Sequence, residues 1–282
     1  MKKIMILCAA VLAACSSSTD EDSALNDSVV ETETQVTLTF APYDVAPITR
    51  TDASIATVAT RLDVWLITGT DTTTIHQTTA DVQFGSISLT LNRTKTYQLI
   101  AVAHKSTAEA TLVNGTTIAF TDNKTTHSMV YTTTFSPADT PTLSCLMTRI
   151  VAQFRLETAD AVPAACKKIQ ITISNVYDRW HITDGGTTLA DHTHTINITS
   201  TAQDGTVALN VFAIVDGAQT LHTVTIAPLD ADNNPVQTPH TFTDVPLRNG
   251  YRTTYHGQVF TDTPTTATFT VDDWNAYDTV NF

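Results

Sequence analysis

Apolar and polar residues alternate along short stretches of this chain, and turn residues separate the stretches. In TQVTLTFA (34–41), Val36, Leu38 and Phe40 share one face with threonines set between them, the pattern of a half-buried strand. APYDVAPITRTDAS follows, with two prolines and no period, and reads as an exposed loop carrying Arg50. RLDVWLIT (61–68) predicts a strongly apolar strand, with Arg61 at its edge and Trp65 in its core. A polar turn is expected at 69–74, then a strand at SISLTLN (86–92). TYQLIAVA (96–103) is apolar on both faces, which predicts a central strand of a sandwich. Weaker strands are expected at 116–121 and 129–135. SPADTPTLS (136–144) has two prolines and no apolar period, so the domain boundary is placed there.

The second half opens on LMTRIVAQFRLE (146–157), read as one strand with Ile150, Ala152, Phe154 and Leu156 on one side. Further strands are expected within KIQITISNV (168–176), TVALNVFAIV (206–215), HTVTIAP (222–228), VPLRNGYRTTYHGQVF (245–260) and ATFTVDDW (267–274). No long stretch carries the i, i+3, i+4 pattern of a helix. Turns arrive roughly every eight to fifteen residues, a spacing that predicts antiparallel β-sandwiches. The two halves match in length and strand density, but no sequence repeat links them.

The N-terminus reads differently. Lys2 and Lys3 precede a short apolar run, and Leu12-Ala13-Ala14-Cys15 closes it. This is a secretory signal, and the cysteine at the cut looks like a bacterial lipobox with Cys15 as the lipidated first residue. An ordinary signal peptidase site is the alternative. A transmembrane helix would need ~20 apolar residues, more than this run holds. Residues 1–14 are therefore the signal peptide. Residues 15–33 are acidic and poor in apolar side chains, a flexible tether. A serine followed by acids just after the cysteine resembles the surface-export signal of Bacteroidetes lipoproteins. The body then divides into 34–140 and 141–282.

The formal net charge is −13, and removing Lys2 and Lys3 with the signal makes it −15. Such a body has no electrostatic means of holding nucleic acid. It is also repelled by anionic lipid, which leaves the acyl chains to hold it on a membrane. Threonine makes up roughly a fifth of the chain, far above ordinary usage, and suits the solvated face of a strand. Once Cys8 leaves with the signal and Cys15 is lipidated, Cys145 and Cys166 remain. Export favours a disulfide. If 147–157 and 167–176 form one hairpin, however, the two cysteines lie roughly 30 Å apart at ~3.3 Å per residue, which predicts two buried thiols.

Candidate chemistry is sparse. Asp191-His192-Thr193-His194 offers two imidazoles and a carboxylate to a metal, but without a further ligand a solvated strand edge is the expected role. Asp230, Asp232 and Asn234 have the first spacings of a calcium loop, yet Pro235 and Thr241 stand where glycine and glutamate are needed, so a plain turn is expected. No G-x-S-x-G is present, Gly185-Gly186 is an isolated turn rather than a phosphate loop, and no enzyme activity, metal or cofactor is expected. Trp65 and Trp274 fall in strong strand patterns. Trp180 is the candidate glycan contact, with core as the alternative. Asp22-Ser23-Ala24, Asp27-Ser28-Val29, Asp71-Thr72-Thr73 and Asp278-Thr279-Val280 resemble the acceptor pattern of the Bacteroidetes O-glycosylation system.

Several of these features together resemble the fimbrillin superfamily of Bacteroidales type V pili, and within it the fimbrillin-A-associated anchor lipoproteins. They are the lipobox with its acidic tether, a first strand leading to Thr49-Arg50, RLDVWLIT, TYQLIAVAH, TRIVAQFRLE, PLRNGYRTTYHGQVF and the closing TVDDW. The resemblance implies two tandem transthyretin-like (Greek-key) β-sandwiches on the outer membrane, facing outward. It implies a pilus anchor or minor subunit that supports cell adhesion. Partners would be other pilus subunits, the outer membrane through the lipid on Cys15, and host or bacterial surface ligands. It also implies assembly by strand exchange, with Val36, Leu38 and Phe40 marking the exchangeable strand. In stalk subunits a protease cuts after an arginine in the following loop, which Arg50 or Arg61 matches. The chain runs only to AYDTVNF after Trp274, which favours a terminal role over a stalk. The alternative is a surface glycan-binding lipoprotein of a polysaccharide-uptake system.

Overall fold

The computed structural model describes residues 32–43, 54–121, 125–199, 202, 204–215, 217–261 and 267–273. The described residues fall in one compact unit that starts at Thr32. Its first strands are β1 (Glu33–Pro42), β2 (Arg61–Thr68), β3 (Asp71–Thr78), β4 (Ser86–Asn92) and β5 (Tyr97–His104). After them come β6 (Thr111–Val113), β7 (Thr117–Ala119), β8 (Met129–Phe135) and β9 (Thr142–Arg149). A single 3-10 turn, Ile55–Thr57, precedes β2. The seven longer strands order as β3-β2-β5-β8-β9-β1-β4, and β8 meets β9 at only two register pairs. The sheet doubles over at that step. Leu62, Val64 and Leu66 of β2 and Leu99, Ala101 and Ala103 of β5 thereby share one core with Val36, Leu38 and Phe40 of β1.

The second half contains β10 (Val151–Thr158), β11 (Lys168–Tyr177), β12 (Arg179–His181), β13 (Gly185–Gly186) and β14 (Leu189–Asn197). It continues through β15 (Ala208–Ile214), β16 (Thr220–Leu229), β17 (His240–Leu247), β18 (Tyr251–Gly257) and β19 (Ala267–Asp273). Here the order is β17-β16-β11-β15-β10-β18-β19, with β14 on β11. β11 touches β15 only at Tyr177↔Ile214, so this sheet also doubles over, around Phe154, Leu156, Ile169, Ile171 and Tyr255. The chain is all-β and built as sandwiches, as its alternation predicts.

The pairing scheme repeats. β1 runs antiparallel to β4 and parallel to β9, while β10 runs antiparallel to β15 and parallel to β18. β2 lies between β3 and β5, and β11 lies between β14 and β16. β5 pairs β8, and β16 pairs β17. The halves thus share a topology that no sequence repeat reveals, and β19 is added at the second half's β18 edge.

Three elements differ from the sequence reading. The strand expected over 146–157 is two strands, because the chain leaves the first sheet at Arg149 and enters the second at Val151. Ile150, 2 % exposed, belongs to a third apolar cluster with Trp65, Ile100, Val102, Phe212 and Ile214, which joins the two sandwiches. This cluster explains why β5 is apolar on both faces: Leu99 and Ala101 face one core, Ile100 and Val102 the other. The polar stretch 69–74 is mostly β3, a threonine-rich edge strand whose side chains are largely exposed. Finally, β10 and β11 are not a hairpin, since each pairs with other strands.

A small four-stranded sheet, β13-β12-β7-β6, caps the third cluster with strands from both halves. Gly186 lies against the Tyr177 ring, where a Cβ would stand 1.9 Å from ring carbons, so no other residue fits there without displacement.

Candidate functional site

β1 is an interior strand. Its register with β4 runs from Glu33↔Asn92 to Thr39↔Ser86, and with β9 from Thr37↔Thr142 to Pro42↔Met147. Val36 and Leu38 are fully buried, and Phe40 is 3 % exposed. On the outer face Gln35 donates to Thr90 Oγ1 at 2.8 Å. Alternation in the sequence produces this arrangement directly, since period-two apolar side chains fill a core while threonines face water. Burying the three apolar side chains stabilises the fold by about 5–9 kcal/mol, at about 1.5–3 kcal/mol for each. That is comparable with the whole stability of an ordinary domain, about 5–15 kcal/mol. Without β1, two strands lose their partners and an apolar groove opens between β4 and β9.

Both ends of β1 are fastened, the N-terminal one by Arg93 N donating to Thr32 O at 2.8 Å and the C-terminal one by two further bonds. Phe40 N donates to Gly85 O at 2.8 Å and Tyr43 N to Met147 O at 2.7 Å. Gly85 has φ +88°, and a Cβ on it would meet Ile55 Cγ2 at 2.5 Å. Only glycine allows the backbone this close to the buried Ile55. Arg50, the first candidate cleavage residue, lies outside the described residues, as do Cys15 and Trp274.

Arg61 is not on an accessible loop. It begins β2, is 9 % exposed, and joins a polar network that sequence reasoning missed. Asp63 is fully buried and takes four donors. Arg61 Nε lies 3.1 Å and His76 Nδ1 2.7 Å from Oδ1, while His104 Nε2 and Ala110 N each lie 2.8 Å from Oδ2. Burial alone would raise the Asp63 carboxyl pKa, but hydrogen bonds from His104, Ala110 and His76 outweigh it and hold the carboxyl below its usual range. His104 Nδ1 accepts from Ser106 N at 3.2 Å, so its proton is on Nε2, facing Asp63. Arg61 also reaches Glu109 Oε1 at 2.6 Å. The network pins residues 104–110 to the sheet. The sequence signal was an aspartate inside an apolar strand, RLDVWLIT, where a charge needs partners.

The other candidates fall as follows. His192 and His194 lie on β14, an edge strand, yet they face inward: His192 is 4 % exposed and burial lowers its pKa. The expected solvated edge is corrected accordingly. Among the described residues no group of three His, Cys, Asp or Glu side chains could hold a metal ion. Asp230 forms a plain turn, its carboxylate accepting from the backbone of Asp232 and Asn234 at 2.9 and 2.8 Å. Trp180, on β12, is half-buried against the third cluster. Cys145 and Cys166 are both buried and no disulfide joins them. The expected outcome holds for a different reason than the hairpin, because the two thiols lie in different cores. Burial pushes the Cys145 thiol up to about 12.

No family model matches the chain, and no curated protein matches it in sequence. Solved structures do match. A candidate adhesin from Bacteroides thetaiotaomicron is 10 % identical, with a TM-score of 0.51 over 86 % of this chain and 96 % of that one. A candidate cell adhesion protein from Bacteroides ovatus is 12 % identical, with a TM-score of 0.50 over 85 % and 97 %. The fimbrial anchor protein Mfa2 from Porphyromonas gingivalis aligns over 86 % of this chain and 98 % of that one, at 10 % identity and a TM-score of 0.47. The chain therefore has the all-β fold of these Bacteroides proteins, along nearly the whole of their length.

Proposed function

We propose that this chain is a lipid-anchored, surface-exposed subunit of an adhesive pilus, a non-enzymatic anchor or minor subunit, and that β1 is the strand through which it assembles. The observation that carries this reading is the position of β1, an amphipathic strand between β4 and β9 whose removal leaves a groove with two unpaired edges. Such a groove accepts an extended segment from another chain, with backbone hydrogen bonds giving affinity and alternate side chains giving register. The fold shared with candidate adhesins supports the same reading. The signal and Cys15 supply the attachment, and other pilus subunits are the partners.

An anchor keeps β1 uncut; were the chain a cleaved stalk subunit instead, the cut would fall at Arg50. Cutting at Arg61 would require β2 to melt, because Arg61 is paired with both Thr78 and His104 and is held by Asp63 and Glu109. Deleting residues 34–41 tests the proposal. Assembly with co-expressed partner subunits should then be lost or altered, and unchanged assembly would refute it.

A further inference from the structure

The two sandwiches differ on one side. In the first, the opening between β3 and β4 is closed by Gln77, whose Nε2 donates to Ser86 O at 3.0 Å and whose Oε1 accepts from Gly85 N at 3.0 Å. In the second, the corresponding strands are β14 and β15. Among the described residues no register pair joins them. A cavity of about 630 Å³ lies there, bordered by Thr193–Ile196 and Asn210–Phe212. Loop residues of the first half form its other wall, and Thr125 Oγ1 fixes them to β15 by donating to Phe212 O at 2.7 Å. A space of this size where two sandwiches meet is where small molecules bind.

The lining has a definite chemistry. Although the chain carries 28 acidic residues against 15 basic ones, neither Asp nor Glu lines this cavity among the described residues. Lys105 does, and Arg149 stands behind His127, its Nε 3.0 Å from the ring. Burial first, then Arg149 and Lys105, hold the His127 pKa down to about 3, so the ring is neutral and these two cations set the local potential. Threonines 60, 125 and 126 and Asn210 add polar groups, while Ile196 and Val211 add an apolar surface. Asn210 borders the cavity, and its buried Oδ1 accepts no hydrogen bond from the protein.

We propose that this cavity binds a carboxylated sugar, with Lys105 meeting the carboxylate, and Asn210 and the threonines meeting ring hydroxyls. Lys105 beside the neutral His127 imidazole suits a monoanion. A phosphate dianion would be matched better by additional cationic donors at the ligand itself. A sugar also has both polar edges and an apolar ring face, as the lining does. The site is separate from the β1 groove and does not depend on the pilus reading.

Titration calorimetry on the full chain with glucuronate, N-acetylneuraminate and glucose provides the test. At least one of the two acids should bind about tenfold or more tightly than glucose, as expected for a charge-assisted hydrogen bond. Lys105→Met should remove that preference while leaving the melting temperature in place. If this variant does not fold, Asn210→Leu decides, and it should weaken the acid and glucose alike. Two results would overturn the proposal: no binding of either acid, or binding that a folded Lys105→Met protein, or Asn210→Leu in its place, leaves unchanged.

Discussion

Asp63 and Leu38 show how much single side chains decide in this fold. Leu38→Ala removes a fully buried side chain of β1 and should cost about 2–5 kcal/mol, read from the urea midpoint at constant slope. Asp63→Ala leaves Arg61 and His104 facing an emptied buried site, and about 3–5 kcal/mol should be lost. His127 carries a pH prediction. Its folded pKa, about 3, lies below the unfolded value near 6.5, so between those limits the unfolded state binds the extra proton. Stability from this residue is complete above pH ~6.5 and falls with decreasing pH until pH ~3, by at most about 1.4 kcal/mol per unit. His127→Gln should flatten that slope in urea unfolding measured across pH, and a wild-type slope retained in the variant would contradict the assignment.

At the scale of elements, alternation made most strands legible because each sandwich buries one face of each strand. β1, β4, β11 and β16 follow their apolar periods closely, and β5, apolar on both faces, lies between two cores. What was hidden depended on distant partners. β3 shows almost no apolar face because it is an exposed edge. The break at Ile150 is invisible in LMTRIVAQFRLE because the chain stays extended and apolar while it changes sheets. The Asp63 network joins residues far apart in sequence, so only the aspartate itself was a signal. The cavity lining likewise comes from separate segments. One element-scale prediction follows from the fastening of β1. Gly85→Ala should lower the melting temperature by several degrees, since it places a Cβ against Ile55 at a positive φ.

For the whole molecule, the repeated pairing scheme and the cluster that bridges the sandwiches describe a tandem body in which the first strand is an interior part of the first sandwich. A chain attached through Cys15 must keep β1 to stay on its membrane, because any cut between β1 and β2 frees everything after it from the lipid. The proposed anchor role and retention of β1 therefore stand together. The most direct test is the N-terminus and intact mass of the protein extracted from native membranes. The account predicts a chain that begins at an acylated Cys15 and still contains residues 33–42. A chain that begins after Arg50, with β1 and lipid gone, would contradict it.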